Sequence, residues 1–369
     1  MALTRSAPAL LYTEDPGGGR RIFLDRLVPG QPSAVSGLVW RTSYPGGDTN
    51  WQSNLSVDPL LSHLGLNLGR KAVIQSGGAI RFQGSLGQAT RGEPWQLQGP
   101  GLAAAVVSAT GSGGFMAVES GGNAYNLDAV VTQAIARGLP WTKAGTLPTA
   151  GTAASGSTDI NGAFDAVGSA LAQAWSLSPL GVCSMAALPT APSYVLRAPQ
   201  PLTPQMVGYT QAVGLYNNGS ATVVITDTTH TDAIAKWGHI EGFYDMTGLG
   251  TLSSGTAATY LSNWLTANLA APSYTNTLSV QYGQLRAVSG TSHNQYGGPV
   301  DLGTVRAGCI VTVYDVDPDH SHLLAQGPLQ MLVTETEYAA DPDVLTLTPA
   351  GCIGQDLLSI LYQSLAGAL

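Results

Sequence analysis

Short runs in which apolar and polar residues alternate, each cut off by Gly or Pro, dominate the first hundred residues. RRIFLDRLV (20–28), KAVIQ (71–75), AIRFQGSL (79–86) and PWQLQ (94–98) are examples. Side chains two apart on a strand share a face, so such runs bury one side and wet the other. The interruptions are too close together to fit crossover helices, which favours antiparallel pairing. The rhythm returns from residue 221 with ATVVITD, then TLSVQYGQL, CIVTVYDV, LQMLVTETEY and VLTLTP.

Between these β regions the period changes. In LDAVVTQAIARG (127–138), Leu127, Val130, Val131, Ala134 and Ile135 fall on one helical face, with Asn126 as cap and Gly138 as stop. Asp159 opens a second helix over INGAFDAVGSALAQAW (160–175), with Ile160, Phe164, Val167 and Leu171 aligned. A third helix covers about 253–269, capped by Ser253 or Ser254, with Tyr260, Leu261, Trp264 and Leu265 as its buried stripe. ATGSGG (109–114) reads as a boundary, and the Pro-rich 187–205 as a linker. DLLSILYQSLAGAL (356–369) reads as a short amphipathic C-terminal helix. The expected class is α+β, mainly β. Its parts are a β domain at 1–112, a helix-containing middle at 113–205, a β domain with one helix at 206–350 and a terminal helix at 351–369.

Charge narrows the functional classes. Only 10% of the 369 residues are charged, against ~25% in ordinary soluble domains. A chain this poor in charge is expected to cover surface with copies of itself or with neighbours. The net charge is -8 and Lys and Arg form no cluster, which argues against binding to nucleic acid through phosphate neutralisation. Three cysteines without a CxxC pair indicate neither a zinc ribbon nor a disulfide framework. No signal-peptide core and no membrane-length apolar run is found, so the expectation is a soluble protein made in a cytoplasm.

Catalytic motifs are absent: no G-x-S-x-G, no GxxxxGK[ST], no H-E-x-x-H, and GPG (99–101) lacks the rest of a dinucleotide fingerprint. Two stretches gather titratable groups. DVDPDHSH (315–322) places Asp315, Asp317 and Asp319 as in a calcium loop. Its sixth position is His320 instead of Gly, and its twelfth is Gln326 instead of Glu. His320 and His322 have no third zinc ligand nearby. A solvated turn is the favoured reading. HTDAIAKWGHIEGFYD (230–245) carries His230, Asp232, His239, Glu241 and Asp245, among which a general acid–base pair would be sought. The favoured reading is a strand edge with polar ends and Trp237 turned inward. The expected assignment is therefore no catalytic, cofactor-binding or metal residue.

The chain also resembles itself. Residues 68–101 and 306–351 both run Gly, strand, turn, strand, Gly-x-Leu, loop, strand, Gly. Gly69 aligns with Gly308, Gly84 and Leu86 with Gly327 and Leu329, and Gly101 with Gly351. SGG (76–78) then occupies the place of DVDPDHSH, which becomes an enlarged hairpin connection. Chance likeness between Gly-punctuated β segments is the alternative.

Several stretches together resemble the baseplate or tail-tip hub proteins (minor tail proteins) of long-tailed bacteriophages of actinobacteria. They are PGGDTNWQSNLSV, LGRKAVIQSGGAIRFQGSL, GEPWQLQGPGL, AVVTQAIARGLPW, TDINGAFDAVGSALAQAWSL, DTTHTDAIAKWGHIEGFYDM, LGTVRAGCIVTVYDV and LVTETEYAADPDVLTLTPAG. Gly308-Cys309 stands where that family often has Gly-Asp, and SLSPLGVCSM departs from its usual Asp-Gly turn. The resemblance implies two tail-tube-like antiparallel β-barrel or sandwich domains per chain. It also implies a homotrimer forming a pseudo-sixfold ring, and a place at the tail tip of a virion. Implied partners are the distal tail protein or tail tube, other tail-tip and fibre proteins and the tape measure protein. DNA would pass through the lumen without specific binding, and no membrane anchor is implied. A distal tail ring, a tail-borne cell-wall hydrolase and a carbohydrate-binding receptor protein are the alternatives.

Overall fold

The computed structural model describes residues 6–26, 33–57, 66–105, 116–117, 126–150, 158–197, 204–274, 277–288, 296–314 and 329–349. The expected terminal helix at 351–369 lies outside them.

The largest sheet has 11 strands. Its main path runs Tyr296–Pro299, Leu285–Val288, Pro192–Arg197, Ile310–Tyr314, Leu329–Ala339, Val35–Ser43, Asp48–Leu55, Trp95–Pro100 and Gln88–Thr90. Leu278–Gln281 and Val344–Pro349 branch from the Leu329–Ala339 strand. A second sheet, Arg21–Phe23, Ala9–Glu14, Lys71–Ser76 and Ala79–Ser85, shares its core. Alternation builds both. In Asp48–Leu55, Trp51, Ser53 and Leu55 point inward while Asn50 and Gln52 face water. Leu11, Trp40, Trp51, Phe82, Leu97, Val313 and Leu345 meet in one apolar core. Burying each such side chain contributes about 1.5–3 kcal/mol before entropy is subtracted. The sheets are sandwich-like, and no barrel closes among the described residues.

This core crosses the expected division at 112 and 206. Leu329–Ala339 pairs directly with Val35–Ser43, Tyr338 opposite Trp40, and the two rings meet edge-on at 4.7 Å. The two β regions are thus halves of one sheet. Pro192–Arg197, expected within a linker, is an inner strand of it. A strand that opens on Pro loses no interior ladder donor, so the Pro content there does not exclude it. Pairing is also not wholly antiparallel: Pro192–Arg197 runs parallel to Ile310–Tyr314. The N-terminus is pinned to the far end of the chain. The Ser6 amide donates to Asp343 at 2.8 Å, and Ser6 Oγ accepts from the Leu302 amide at 2.9 Å.

A second core joins the middle of the chain to residues 209–265. Helices α1 (Leu127–Ala136), α2 (Ile160–Leu171), α3 (Thr231–Trp237) and α4 (Ser254–Ala267) belong to this part of the chain. The expected caps hold: Asn126, Asp159 and Ser253 each accept from a first-turn amide. α2 stops four residues earlier than its apolar period suggests. Ala172 turns left-handed (φ 54°), and Gln173–Leu177 becomes a strand. That strand carries Trp175 onto Phe164, stacked at 4.9 Å, a contact unavailable to a continuing helix. α4 packs on α2, where Asn263 donates to the Ala170 carbonyl at 3.1 Å. It also covers one face of a three-stranded sheet, Thr222–Asp227, Gln211–Asn217 and Glu241–Asp245.

The internal likeness is real in its first half and shifted in its second. Gly69 (φ 86°) and Gly308 (φ 90°) both stand before a strand that opens a hairpin. The Gly69 amide donates to Leu86, and the Gly308 amide to Val333. Val333, not Leu329, is therefore the counterpart of Leu86. The Leu329–Ala339 strand starts earlier and runs longer than Ala79–Ser85, so the Gly-x-Leu match is out of step.

Candidate functional site

The acid–base candidates at 230–245 do not converge. His230 precedes α3, with Nε2 3.5 Å from Thr266 Oγ1. Asp232 is exposed in the first turn of that helix. Asp245 accepts from the Thr247 amide and hydroxyl, closing a turn. Only His239 and Glu241 communicate, through Gln211: Nδ1 lies 2.9 Å from Gln211 Oε1, and Gln211 Nε2 donates to Glu241 at 3.1 Å. All three are solvent-facing. Trp237 is half-buried beneath the Lys236 ammonium, 4.8 Å from its ring centre.

Residues 315–322 lie outside the described residues. The flanking strands Ile310–Tyr314 and Leu329–Ala339 pair antiparallel, with Val313 opposite Leu329. Among the described residues no three His, Cys, Asp or Glu side chains are placed to share a metal ion. Burial pushes the Cys183 and Cys309 thiols up to about 12, away from nucleophilic thiolate.

The polar centre with the richest geometry was not visible in the sequence. Asp48, 1% exposed, accepts from Arg306 Nη2 at 2.6 Å and from the Gln83 amide at 2.8 Å. Arg306 also donates to the Arg81 carbonyl at 2.9 Å and reaches the Leu177 carbonyl at 3.4 Å. Burial raises the Asp48 carboxyl above its ordinary range, against the pull of Arg306 and the Gln83 amide. Asp48, Arg81 and Arg306 belong to the first core's sheets and loops, whereas Leu177 lies in the second core. The adjacent turn completes the junction. The Gly46 amide donates to Trp175, and the Leu177 amide donates to Gly46 at 2.6 Å. A Cβ on Gly47 would stand 2.7 Å from the Leu177 carbonyl, so this approach requires glycine. Both Asp48 oxygens and both Arg306 Nη atoms have protein partners, which suits a structural clasp.

Two surfaces remain. A shallow groove of about 420 Å³ runs over the large sheet, lined by Arg41, Asn50, Gln52, Gln88 and Gln98 among others. Some of its polar groups are already paired: Arg41 with Glu337 at 2.5 Å, and Gln98 with Gln88 at 2.6 Å. Its lining carries no His, Cys, Asp, Glu or Lys side chain. The other surface is the face of the three-stranded sheet opposite α4. There Phe243 (58% exposed) and Val224 (62%) flank Val213 and Leu215.

No protein-family model matches the chain, and no curated protein matches it. Solved structures do. The tail protein from Neisseria meningitidis MC58 aligns over 93% of this chain and 96% of its own, with a TM-score of 0.56 at 13% identity. Prophage tail protein gp18 from Listeria monocytogenes EGD-e aligns over 98% and 99%, with a TM-score of 0.55 at 9% identity. The 43 kDa tail protein of prophage MuSo2 from Shewanella oneidensis aligns over 96% and 99%, with a TM-score of 0.52 at 10% identity. At these identities the likeness is one of fold, and it extends from end to end.

Proposed function

We propose that this chain is a structural, non-enzymatic protein of a bacteriophage tail, and within the tail the hub at its tip. What carries the reading is the end-to-end fold likeness to three tail proteins, each matched over nearly its whole length. The low charge of the chain supports it, because a subunit of an assembly covers its surface with neighbours. In this reading three copies form a ring. The two halves of the large sheet, one from the N-terminal strands and one from 278–349, act as two tube-like units per chain. The ring adjoins the tail tube or distal tail protein and the fibre-bearing parts, and DNA passes along an acidic lumen that repels it. The actinobacterial host suggested by the sequence is not part of the proposal, since the structural relatives come from Neisseria, Shewanella and Listeria.

The shared core favours one specific alternative. If both halves of the sheet make a single unit, six copies of a distal-tail-type ring satisfy the same geometry. Particle images of the purified chain or the tail separate the two: threefold symmetry is expected, and a sixfold ring overturns the hub assignment. Zymography on host cell wall tests the enzymatic side. No lytic band is expected, and a band lost on changing His239 or Glu241 overturns the structural reading.

A further inference from the structure

We propose that the outer face of the Gln211–Asn217 sheet docks a second copy of this chain, and that the docking element is the copy's Arg21–Phe23 strand. The proposal rests on the ring reading above and gives it a contact. Strand alternation defines the face. Ala212, Gly214 and Tyr216 turn inward, and Val223, Ile225 and Tyr244 pack against the second core with them. Their neighbours turn outward in rows fixed by the register. Glu241 lies beside Gln211; Phe243 beside Val213 and Thr226; Asp245 beside Leu215 and Val224. The result is an apolar centre of four side chains with two carboxylates along one margin. Apolar centres with polar rims mark interaction surfaces. Both outer strands also end the sheet without a further strand among the described residues, which leaves the face open at its sides.

Charge identifies the occupant. Residues 204–274 hold one Lys and four Asp or Glu. Residues 1–102 are the opposite, with nine Lys or Arg and six Asp or Glu. Of the five most exposed large apolar side chains described, two (Val224 and Phe243) lie on the acidic face and two (Phe23 and Leu68) in the basic stretch. Phe23, 41% exposed, is braced on Tyr12 with ring centres 5.2 Å apart. Arg21 is held over the same Tyr12 ring at 5.4 Å, with its Nε donating to Glu14 at 3.1 Å, so only its remaining N–H donors are offered to a partner. The Arg21–Phe23 strand thus presents a fixed aromatic beside a fixed guanidinium, and the acidic face presents an apolar bed beside two carboxylates. A contact between two different faces of one chain is heterologous, and such contacts close into a ring when the rotation between copies closes.

The test uses the full chain, by native mass spectrometry and sedimentation at low and high salt, with thermal melts to check that each variant folds. Wild type is expected to form a closed oligomer. Val224→Ser with Phe243→Ser should weaken association at least about tenfold, since central apolar anchors dominate interface energies. Glu241→Lys with Asp245→Lys, or Arg21→Glu alone, should each weaken it about tenfold at low salt and less at high salt. Joining Glu241→Lys to Arg21→Glu should restore it to within about threefold of wild type. An oligomer unchanged in the Val224→Ser, Phe243→Ser variant overturns the docking face and leaves the ring standing. So does a charge pair that fails to restore association, because the two groups then do not face each other. A folded chain that stays monomeric at every concentration overturns both the contact and the ring.

Discussion

The two cores solve the same burial problem in opposite ways. The first is made almost wholly of strands, and the outward face of its large sheet is polar and self-paired. Arg41 lies against Glu337, and Gln98 bonds Gln88, which bonds Thr90. The second is built on helices α1, α2 and α4 with small sheets, and it leaves Phe243 and Val224 in water. The first core finishes this face of its large sheet and leaves Phe23 exposed on its smaller sheet. The second leaves a surface unfinished, and an unfinished surface on a chain with 10% charge asks for a neighbour. The contrast places the acidic docking face on the second core, while the strand proposed to meet it, Arg21–Phe23, lies on the small sheet of the first.

The separation between cores can be broken most strongly from inside. Phe164→Ala removes the ring stacked on Trp175 at 4.9 Å. It should cost about 3–5 kcal/mol. Helical circular dichroism in a denaturant titration should lose stability, while a probe at Trp40, in the first core, shifts less. Equal shifts at both probes would mean that the cores melt as one unit.

The junction comes next. Arg306→Met strands the Asp48 carboxylate in a site that is 1% exposed. About 3 kcal/mol should be lost, as when one partner of a buried pair is removed. Adding Asp48→Asn should recover most of it. The same carboxyl gives a smaller, pH-dependent effect. Its folded value lies above the ordinary 3.8, because burial outweighs Arg306 and the Gln83 amide. A native state that keeps its proton longer than the unfolded chain loses stability as pH rises through that window. Asp48→Asn cannot ionise, so it should gain on wild type from about pH 4 upward, until the raised value is passed. Paired denaturation curves at acid and neutral pH measure this. Wild type gaining instead would mean that Arg306 outweighs burial. Smallest is Arg41→Ala on the finished face, which should cost under about 1 kcal/mol because the pair is exposed. A larger loss would mean that this surface too needs its pairs for folding.

Local chemistry was legible in the sequence, and distant pairing was not. Asn126, Asp159 and Ser253 announce helix starts because a cap acts within three residues. Val344–Pro349 shows its alternation plainly, with every second residue buried. The early end of α2 at Leu171 was hidden, since stacking of Trp175 on Phe164, not the local period, decides it. The strand at Pro192–Arg197 was hidden by Pro192 and the prolines that flank it. Asp48 and Arg306 stand 258 residues apart, and no spacing rule links them. The exposed face is intermediate: TVVITD is conspicuous as a strand, but only the register with Gln211–Asn217 tells which of its valines is wet. The acid–base candidates at 230–245 share a segment of sequence, yet helix α3 and the strand after it point them in different directions.

The pinning of Ser6 to Asp343 and of Trp40 to Tyr338 has a temporal side. A ribosome delivers residues in order, and domains fold as they emerge. Among the described residues, the buried members of the second core run from Ala103 to Leu265, so they are all present while the first core still lacks the Leu329–Ala339 strand. Until then Val35–Ser43 waits with one edge unpaired, at a sequence separation that makes loop closure slow. The order of synthesis thus supplies the second core in full before the first. A nascent chain therefore completes its acidic face before its large sheet closes, and that face is ready for the Arg21–Phe23 strand of another copy.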